Sequence, residues 1–296
     1  LHLCTITLKF IMMHDINSFS FKDKKLNLYK IQNALILCLL PLFLSSQDQY
    51  LDIKNKDITL RIGISRSQLE DSRLSGKVHK SWSPKYSISH IEVKDNSRQH
   101  FQVDFASMKF SKSNKRFSIQ SIFSNVHFTY QRNIGNGTWL GGYINTISLI
   151  NFPKNPGQTY FVNNPVSYTV SSSIGPAVSF THGFDNGIHS IGTAQMAAIS
   201  YAIQPIYGHP YPEKYLNEEI FSPTQSKMAG PLLKSGKLVS FKSFGHLNIL
   251  MSVYYVFKNN FKAGLDYNYG FYMVNVNGKP VKMNNHDIFL TTGILY

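Results

Sequence analysis

The sequence predicts an all-β fold, an antiparallel up-and-down transmembrane β-barrel of about ten strands, within a range of roughly eight to twelve. Apolar and polar residues alternate with period two along segments that are longer than the strands of soluble sheets, which have about five or six residues. Short turns and longer loops alternate along the chain. Charged residues make up only 16% of the 296 residues, and aromatic residues make up 14%. A water-soluble domain usually has about 25% charged residues.

The alternation identifies the individual strands. One parity of each segment is rich in Ile, Leu, Val, Tyr and Phe, and the other is rich in Ser, Thr, Gly and Asn. A tilted membrane strand needs about nine to eleven residues. Pro176 cannot donate to a sheet ladder, so it predicts a bulge in its strand. The clearest segments are 58–65, 167–181, 246–257 and 261–273, and the weaker ones are 84–93, 99–110, 117–132, 138–151, 189–204 and 286–296.

The connections between these segments alternate in length. We expect tight turns near 94–97, 133–137, 184–188 and 258–260, where Asn136-Gly137 is typical of a two-residue hairpin. We expect longer connections near 66–83, 152–166, 205–237 and 275–285, and a short one near 111–116. Short turns on one rim and loops on the other are typical of outer-membrane barrels. The last strand then ends in the periplasm at Tyr296, an aromatic residue consistent with the signal that the barrel-assembly machinery reads.

The first part of the chain predicts export. A basic stretch at 22–30 precedes an apolar run at 34–44, and Ser45 and Ser46 follow. This order is typical of a cleaved signal peptide, and the apolar run is too short to anchor the chain in a bilayer. We therefore predict an over-extended start at 1–21, a signal peptide at 22–46 and the barrel at 47–296. Both cysteines, Cys4 and Cys38, precede the predicted cleavage after Ser46, so no disulfide is expected in the barrel.

A soluble secreted β-barrel or β-sandwich is the main alternative fold, because its strands alternate as well. A soluble protein of this kind would place charged residues on its outer face. Here the apolar parity contains ladders of Tyr and Phe, and the other parity is uncharged and polar. The pattern therefore favours a barrel with its apolar face in hydrocarbon.

Several segments resemble outer-membrane barrel proteins of Bacteroidota. The resemblance covers 47–296 in architecture, and it is carried locally by the loop 205–213, the Lys-Ser-Gly-Lys segment 234–237 and the Asn285-His286 pair. It implies a Gram-negative outer-membrane location, with outer-membrane lipid, lipopolysaccharide and the barrel-assembly machinery as partners.

The fragment Gly245-His246-Leu247-Asn248 resembles a strand start in lipid A deacylase-like barrels. That resemblance implies a Ser-His-acid hydrolase that acts on lipopolysaccharide acyl chains. The family's His-x-Ser-Asn-Gly element has no counterpart in the next strand, where residues 269–272 read Tyr-Gly-Phe-Tyr.

Polar residues of the last strands are the candidates for a site in the lumen. As catalytic candidates we single out His246, Asp266 and Ser252. The turn at 258–260 sets a register in which His246 lies opposite residue 272 and Asp266 lies near Ser252, so a catalytic dyad does not follow from the sequence. The polar residues that we expect to face the lumen are His246, Asn248, Ser252, Tyr254, Asp266 and Asn268.

No other site chemistry is predicted. His182 and His189 flank a turn without the spacing of metal ligands, so we expect neither a metal nor another cofactor. The formal net charge is +14, but the basic residues are scattered, which argues against nucleic acid. A barrel of about ten strands is largely filled by its own side chains. We therefore expect a non-enzymatic barrel for surface display, envelope structure or narrow-solute passage, with a lipid A deacylase-like hydrolase and a soluble β-protein as alternatives.

Overall fold

A computed structural model describes residues 56–94, 96–111, 118–154, 167–184, 187–204, 236–276 and 278–296. The predicted over-extended start and signal peptide lie outside these residues, as does the loop 205–213. The described residues form twelve antiparallel strands: β1 (Lys56–Asp71), β2 (Ser75–Lys94), β3 (Ser97–Ser111), β4 (Ser118–Gly135), β5 (Thr138–Lys154), β6 (Ser167–Gly183), β7 (Ile188–Met196), β8 (Ile199–Ile203), β9 (Lys237–Val239), β10 (Phe244–Val256), β11 (Phe261–Val274) and β12 (Val281–Leu295).

The strands close into a barrel with ten positions around its circumference. β7 and β8 both pair with β6 and together occupy one position. β9 pairs with β8 and β10 pairs with β7, so these two strands share the next position. β1 pairs with β12 along its whole length, which closes the ring of strands. The prediction of an up-and-down barrel of about ten strands is confirmed.

The rim with the short turns is as predicted. Asn136 and Gly137 have φ angles of 49° and 68° in the β4–β5 turn, and both positive values are typical of the type I′ hairpin. The tight turns near 94–97, 184–188 and 257–260 connect β2 to β3, β6 to β7 and β10 to β11. The beginning of β1 and the end of β12 lie on this same rim, because Asp57 pairs with Leu295.

The first connection on the opposite rim corrects the sequence prediction. Residues 66–83 were expected to form a long loop, but β1 extends to Asp71, β2 begins at Ser75, and residues 72–74 connect them. The alternation is hidden here because the outward residues Arg66, Gln68 and Glu70 are polar. Where both faces of a strand carry polar residues, the sequence has no apolar–polar alternation and resembles that of a loop.

The two faces of the sheet have opposite polarity, with the apolar face outside. Residues 58, 60, 62 and 64 of β1 are apolar and exposed, whereas Thr59, Arg61 and Ser65 between them are buried in the lumen. We call the outward residues of this kind the apolar belt; among them are Ile58, Leu60, Ile62, Ile64, Tyr86, Ile88, Phe105, Phe128, Ile144, Val253, Tyr255, Leu265, Ile288, Leu290 and Ile294. Among the described residues, no helix is long and apolar enough to cross a membrane.

Two of the irregularities in the ladders of the described strands lie at prolines. Opposite Pro176, the neighbouring strand breaks between Met196 and Ile199 and its register shifts by one residue, which is where a bulge was predicted. The second interruption lies between β2 and β3. Pairing stops at Lys85–Ala106 and resumes at Lys80–Ser111, and residues 81–84 are not paired with 107–110. Pro84 lies in this gap, and proline has no backbone N–H to donate.

Candidate functional site

Charged side chains fill the lumen near the short-turn rim. The Arg61 guanidinium on β1 donates from Nε to Asp266 on β11, and from Nη1 to the Ser89 hydroxyl on β2 at 2.8 Å. The Lys262 ammonium on β11 donates to Asp57 on β1. All four charged groups are at least nine-tenths buried. Each charge therefore has a partner of opposite sign on another strand, as burial of a charge requires.

A further ion pair lies deeper in the barrel. The Lys85 ammonium donates to Asp287 Oδ2 at 2.6 Å, and the Asn268 amide donates to the same oxygen at 3.0 Å. Lys85 also lies 5.1 Å from the centre of the Phe123 ring. We call the three buried ion pairs together the ionic layer. Its charged members are Asp57, Arg61, Lys85, Lys262, Asp266 and Asp287.

Histidine and tyrosine side chains of β4, β5 and β10 meet across the lumen. The Tyr143 hydroxyl and His246 Nδ1 are 3.0 Å apart. His127 Nε2 lies 2.6 Å from the Thr129 hydroxyl. The Gln195 amide donates to the same histidine nitrogen at 2.8 Å. The ring centres of His127 and Tyr143 are 6.0 Å apart. With Gln195 on β7, these contacts tie four strands together inside the barrel.

Apolar side chains form a packed cluster in the loop-side half of the lumen, among buried polar residues such as His79, Ser81 and Ser121. Its residues come from strands all around the barrel and are almost fully buried. We call this group the apolar layer: Leu69, Leu74, Ala106, Met108, Phe110, Ile119, Phe123, Ile147, Leu149, Ala197, Ala202, Phe244, Tyr272, Val274, Val281 and Met283.

The β1–β2 turn crosses the loop-side mouth of the barrel. Arg73 of this turn donates from Nη1 to the Tyr168 carbonyl at 2.8 Å, and from Nη2 to the hydroxyls of Ser167 and Thr169 at 2.9 Å each. Its Nε and Nη2 also donate to the two carboxylate oxygens of Asp71 at 3.0 Å. β6, which carries the acceptors, is five positions from β1 in either direction around the ring. The contact therefore spans the full diameter of the barrel.

Asp71 is held from the side of β5 as well. The Asn151 amide donates to its Oδ2 at 2.9 Å, and the Ser167 hydroxyl donates to the same oxygen. Asp71, Asn151, Ser167 and Thr169 are fully buried, and Arg73 is 7% exposed. We call these five residues the mouth cluster. It is a bidentate ion pair whose remaining hydrogen-bonding positions are occupied by polar groups of two other strands.

The catalytic candidates from the sequence do not form a triad. The expected register is confirmed, because His246 pairs with Tyr272 and Ser252 pairs with Asp266. The structure places the Asp266 carboxylate on Arg61, and it places the His246 imidazole on Tyr143. A nucleophile and a base must lie within hydrogen-bond reach of each other. The three candidates therefore lack the mutual contacts that a catalytic triad needs.

The other residues expected in the lumen lie on the inward parity of their strands. Tyr254 is buried, and the Lys262 ammonium lies 5.0 Å from the centre of its ring. Asn248 is partly buried and donates to Gln195 Oε1 at 3.4 Å. Asn268 is partly buried and contacts Asp287. Within the described part of the chain, no group of three His, Cys, Asp or Glu side chains is arranged to hold a metal ion.

The sequence reasoning missed four residues that connect non-adjacent strands through the lumen, namely Arg61, Arg73, Lys85 and Tyr143. Arg61 was visible as a charged residue on the inward parity of a strand, between Leu60 and Ile62. A charge in that position needs a partner in the lumen. The identity of the partner depends on closure of the barrel, which brings residue 266 next to residue 61.

Glycines make room for bulky lumen side chains. Gly63 pairs with Phe289, and a Cβ on Gly63 would lie 2.1 Å from the Ile288 carbonyl oxygen and 2.7 Å from the Phe289 ring. The first of these distances involves backbone, which cannot move away easily. The same relation recurs at Gly264, which pairs with Tyr254. The narrow lumen thus depends on residues without a side chain beside its largest rings.

We expect Gly63→Ala to lower the free energy of unfolding by about 1–3 kcal/mol, the usual cost of overpacking. Urea-induced unfolding of the protein in lipid vesicles measures this change. Gly270→Ala is the matched control, because its added Cβ would lie 3.9 Å from Asn285 on the same lumen face. The control should be neutral or slightly stabilised, and an equal loss in both variants would contradict the steric explanation.

Comparison with known proteins gives structural likenesses alone. No protein-family model matches the chain, and no curated protein sequence matches it. The translocator domain of the autotransporter NalP from Neisseria meningitidis is 9% identical, with a TM-score of 0.42 over 90% of this chain and 96% of that one. The β-domain of the Bordetella autotransporter BrkA is 7% identical, with a TM-score of 0.43 over 82% and 100%. The outer-membrane protease OmpT from Escherichia coli is 8% identical, with a TM-score of 0.35 over 85% and 100%. At these values the likenesses assign no function.

Proposed function

We propose that this protein is an integral outer-membrane β-barrel with a closed lumen, which acts as a non-enzymatic scaffold for the loops that it displays at the cell surface. The observation that carries the proposal is the inverted polarity of the barrel. Leu265 on β11 is 57% exposed, whereas Asp266 beside it is 2% exposed. In water this arrangement exposes the residues that burial stabilises and buries those that prefer solvent.

Hydrocarbon as the outer solvent accounts for this arrangement. A membrane-spanning sheet must pair its backbone groups internally, because lipid tails offer no hydrogen bonds. Closure through the β1–β12 ladder removes the edges that β1 and β12 would otherwise present to lipid. The alternative of a soluble β-protein does not account for the apolar belt. As partners we propose outer-membrane lipid, including lipopolysaccharide, and the barrel-assembly machinery.

Cell fractionation tests the membrane location. We expect the full chain to remain in the sarkosyl-insoluble envelope fraction. We also expect it to migrate faster on a gel before heating than after heating, because a folded barrel resists the detergent. A soluble protein found in the periplasm or medium would contradict the proposal. A known periplasmic β-protein processed in parallel provides the control.

The contents of the lumen favour a scaffold over a channel. The mouth cluster, the apolar layer and the ionic layer follow one another from the loop-side rim to the short-turn rim. A permeating ion would have to break the Arg73 contacts and then cross the apolar layer without hydration. Among the three roles expected from the sequence, surface display and envelope structure therefore fit better than narrow-solute passage.

We expect no stable conductance steps when the full chain is inserted into a planar lipid bilayer. Buried side chains of the described strands form the mouth cluster, the apolar layer and the ionic layer, so we expect no continuous hydrated path for ions. A general porin inserted in the same bilayer is the control for detection. Reproducible ohmic steps from the full chain would contradict a closed lumen.

The lipid A deacylase-like activity and the origin in Bacteroidota stay hypotheses that rest on sequence resemblance. The geometry gives the hydrolase little support, since the His246 imidazole contacts a tyrosine and Asp266 is engaged by a guanidinium. Mass spectra of lipid A from cells with and without the protein test this activity. An acyl chain lost with the wild type and retained with His246→Ala would support a hydrolase and contradict the scaffold.

A further inference from the structure

The interrupted ladder between β2 and β3 lies where the outer surface changes from apolar to basic. We call residues 81–84 and 107–110 the seam. Trp82 lies on the outer face of the seam and is 69% exposed. Along β2, Tyr86 and Ile88 of the apolar belt lie on one side of it, and Lys80 lies on the loop side. The seam is therefore at the margin of the apolar belt, where a membrane has its lipid head groups.

Three cations surround Trp82 on the outer face. Arg66 pairs with Trp82 across the β1–β2 ladder, and its guanidinium lies 5.8 Å from the centre of the indole ring. Lys109 lies opposite Trp82 across the seam, since the register is the same on both sides of the gap. Lys80 is on the same face, two residues along β2. Glu70, the carboxylate farther along the outer face of β1, is ion-paired with Lys282.

The seam also leaves polar groups without partners. The hydroxyls of Ser81 and Ser83, on the inner side of β2, are buried and have no hydrogen-bond partner among the described residues. Behind them, Met108 and Phe110 are almost fully buried in the apolar layer. The inner side is thus packed, and a ligand of the seam must approach from outside. The backbone groups of 81–84 and 107–110 that face each other across the seam have no ladder partner, so a polar ligand on the outer face can supply hydrogen bonds that the sheet does not.

We propose that the seam, together with Arg66, Lys80 and Lys109, binds the phosphorylated head group of a lipid in the loop-side leaflet. This inference rests on the proposed membrane function. Phosphate oxygens accept charge-assisted hydrogen bonds from guanidinium and ammonium groups. Trp82 packs against the junction between head group and acyl chain, as indole rings do at membrane interfaces. The acyl chains continue along Tyr86 and Ile88, which a free phosphate ion would leave uncovered.

Native mass spectrometry of the full chain in detergent, with added diphosphoryl lipid A, tests the site. We expect the wild type to retain one lipid molecule. The triple variant Arg66→Gln, Lys80→Gln, Lys109→Gln should bind about tenfold more weakly or worse, because each cation near an anionic lipid surface contributes appreciably. The matched control is Lys94→Gln, Arg132→Gln, Lys258→Gln, which removes the same charge from the exposed surface near the short-turn rim. The control should bind like the wild type.

Two further ligands identify the source of the phosphate. The wild type should bind lipid A without its two phosphates only weakly. This binding should be about as weak as that of diphosphoryl lipid A to the triple variant. Inorganic phosphate alone should neither be retained nor displace the lipid. Equal binding by the wild type and the triple variant would overturn the proposal, as would equal retention of dephosphorylated lipid or displacement by inorganic phosphate. Heat-modifiable migration of the same samples reports barrel formation separately, so failure of this site is distinguishable from failure of the barrel proposal.

Discussion

Arg73→Ala should lower the free energy of unfolding by about 3–5 kcal/mol, the cost of removing one partner from a buried ion pair. The substitution leaves the Asp71 carboxylate fully buried without its counter-ion. It also removes the donors to Ser167, Thr169 and the Tyr168 carbonyl, and leaves the hydrogen bond from Ser167 to Asp71 as a remaining link to the opposite wall. Urea-induced unfolding in lipid vesicles measures the change.

A double variant separates the charge from the packing. Asp71→Asn with Arg73→Met removes both charges and keeps comparable side-chain volume, so it should recover part of the stability that Arg73→Ala loses. Lys242→Ala is the control, because Lys242 is an exposed cation in the connection between β9 and β10. That control should change stability by no more than about 0.5 kcal/mol. Arg73→Ala within the same range would mean that the mouth cluster is not buried as described.

The same variant tests how the lumen is closed. If the mouth cluster alone sealed the barrel, Arg73→Ala would open an ion path in planar bilayers. The apolar layer lies beneath it, with Leu69, Phe110 and Ile119 almost fully buried. We therefore expect destabilisation without conductance. Conductance steps with Arg73→Ala but not with the wild type would show that the mouth cluster closes the lumen.

The architecture was predictable because it depends on local pattern. Alternation at Ile58, Leu60, Ile62 and Ile64 is a property of one strand and needs no knowledge of its neighbours. The turn at Asn136 was equally local, since the dipeptide itself determines the positive φ angles. The extent of β1 was not predictable, because beyond Ile64 both of its faces carry polar residues. Alternation detects a strand only where its two faces meet different solvents.

For the lumen, the sequence predicts the type of side chain but not the contacts between side chains. The sequence indicated polar side chains on the inward parity, but it could not indicate which of them meet. Arg61 and Asp266 are 205 positions apart, and the ion pair exists because β1 and β11 both flank β12. Arg73 was hidden for a different reason. It belongs to a turn, where periodicity gives no direction for a side chain, and its acceptors belong to the opposite wall.

Leu265→Arg distinguishes the two possible solvents of the outer face more sharply than any change in the lumen. Leu265 is paired with Val253 on β10 and Leu290 on β12, and all three side chains are exposed. In water, arginine at an exposed position would change stability by no more than about 0.5 kcal/mol. In hydrocarbon, arginine near the bilayer midplane costs about 2–4 kcal/mol. We expect the larger loss, measured as unfolding free energy in lipid vesicles.

The control for this substitution is Leu238→Arg. Leu238 is 74% exposed on β9, two strand positions around the barrel from β12 and beyond the break that separates β9 from β10. It lies towards the loop-side rim, where the charged side chain reaches water and the cost falls to about 0–1 kcal/mol. The side chain of Leu238 is more exposed than that of Leu265. A purely aqueous surface would therefore not make arginine more costly at Leu265. A larger loss of unfolding free energy at Leu265 therefore requires a solvent whose polarity changes with height along the barrel. A bilayer has this property, and water does not.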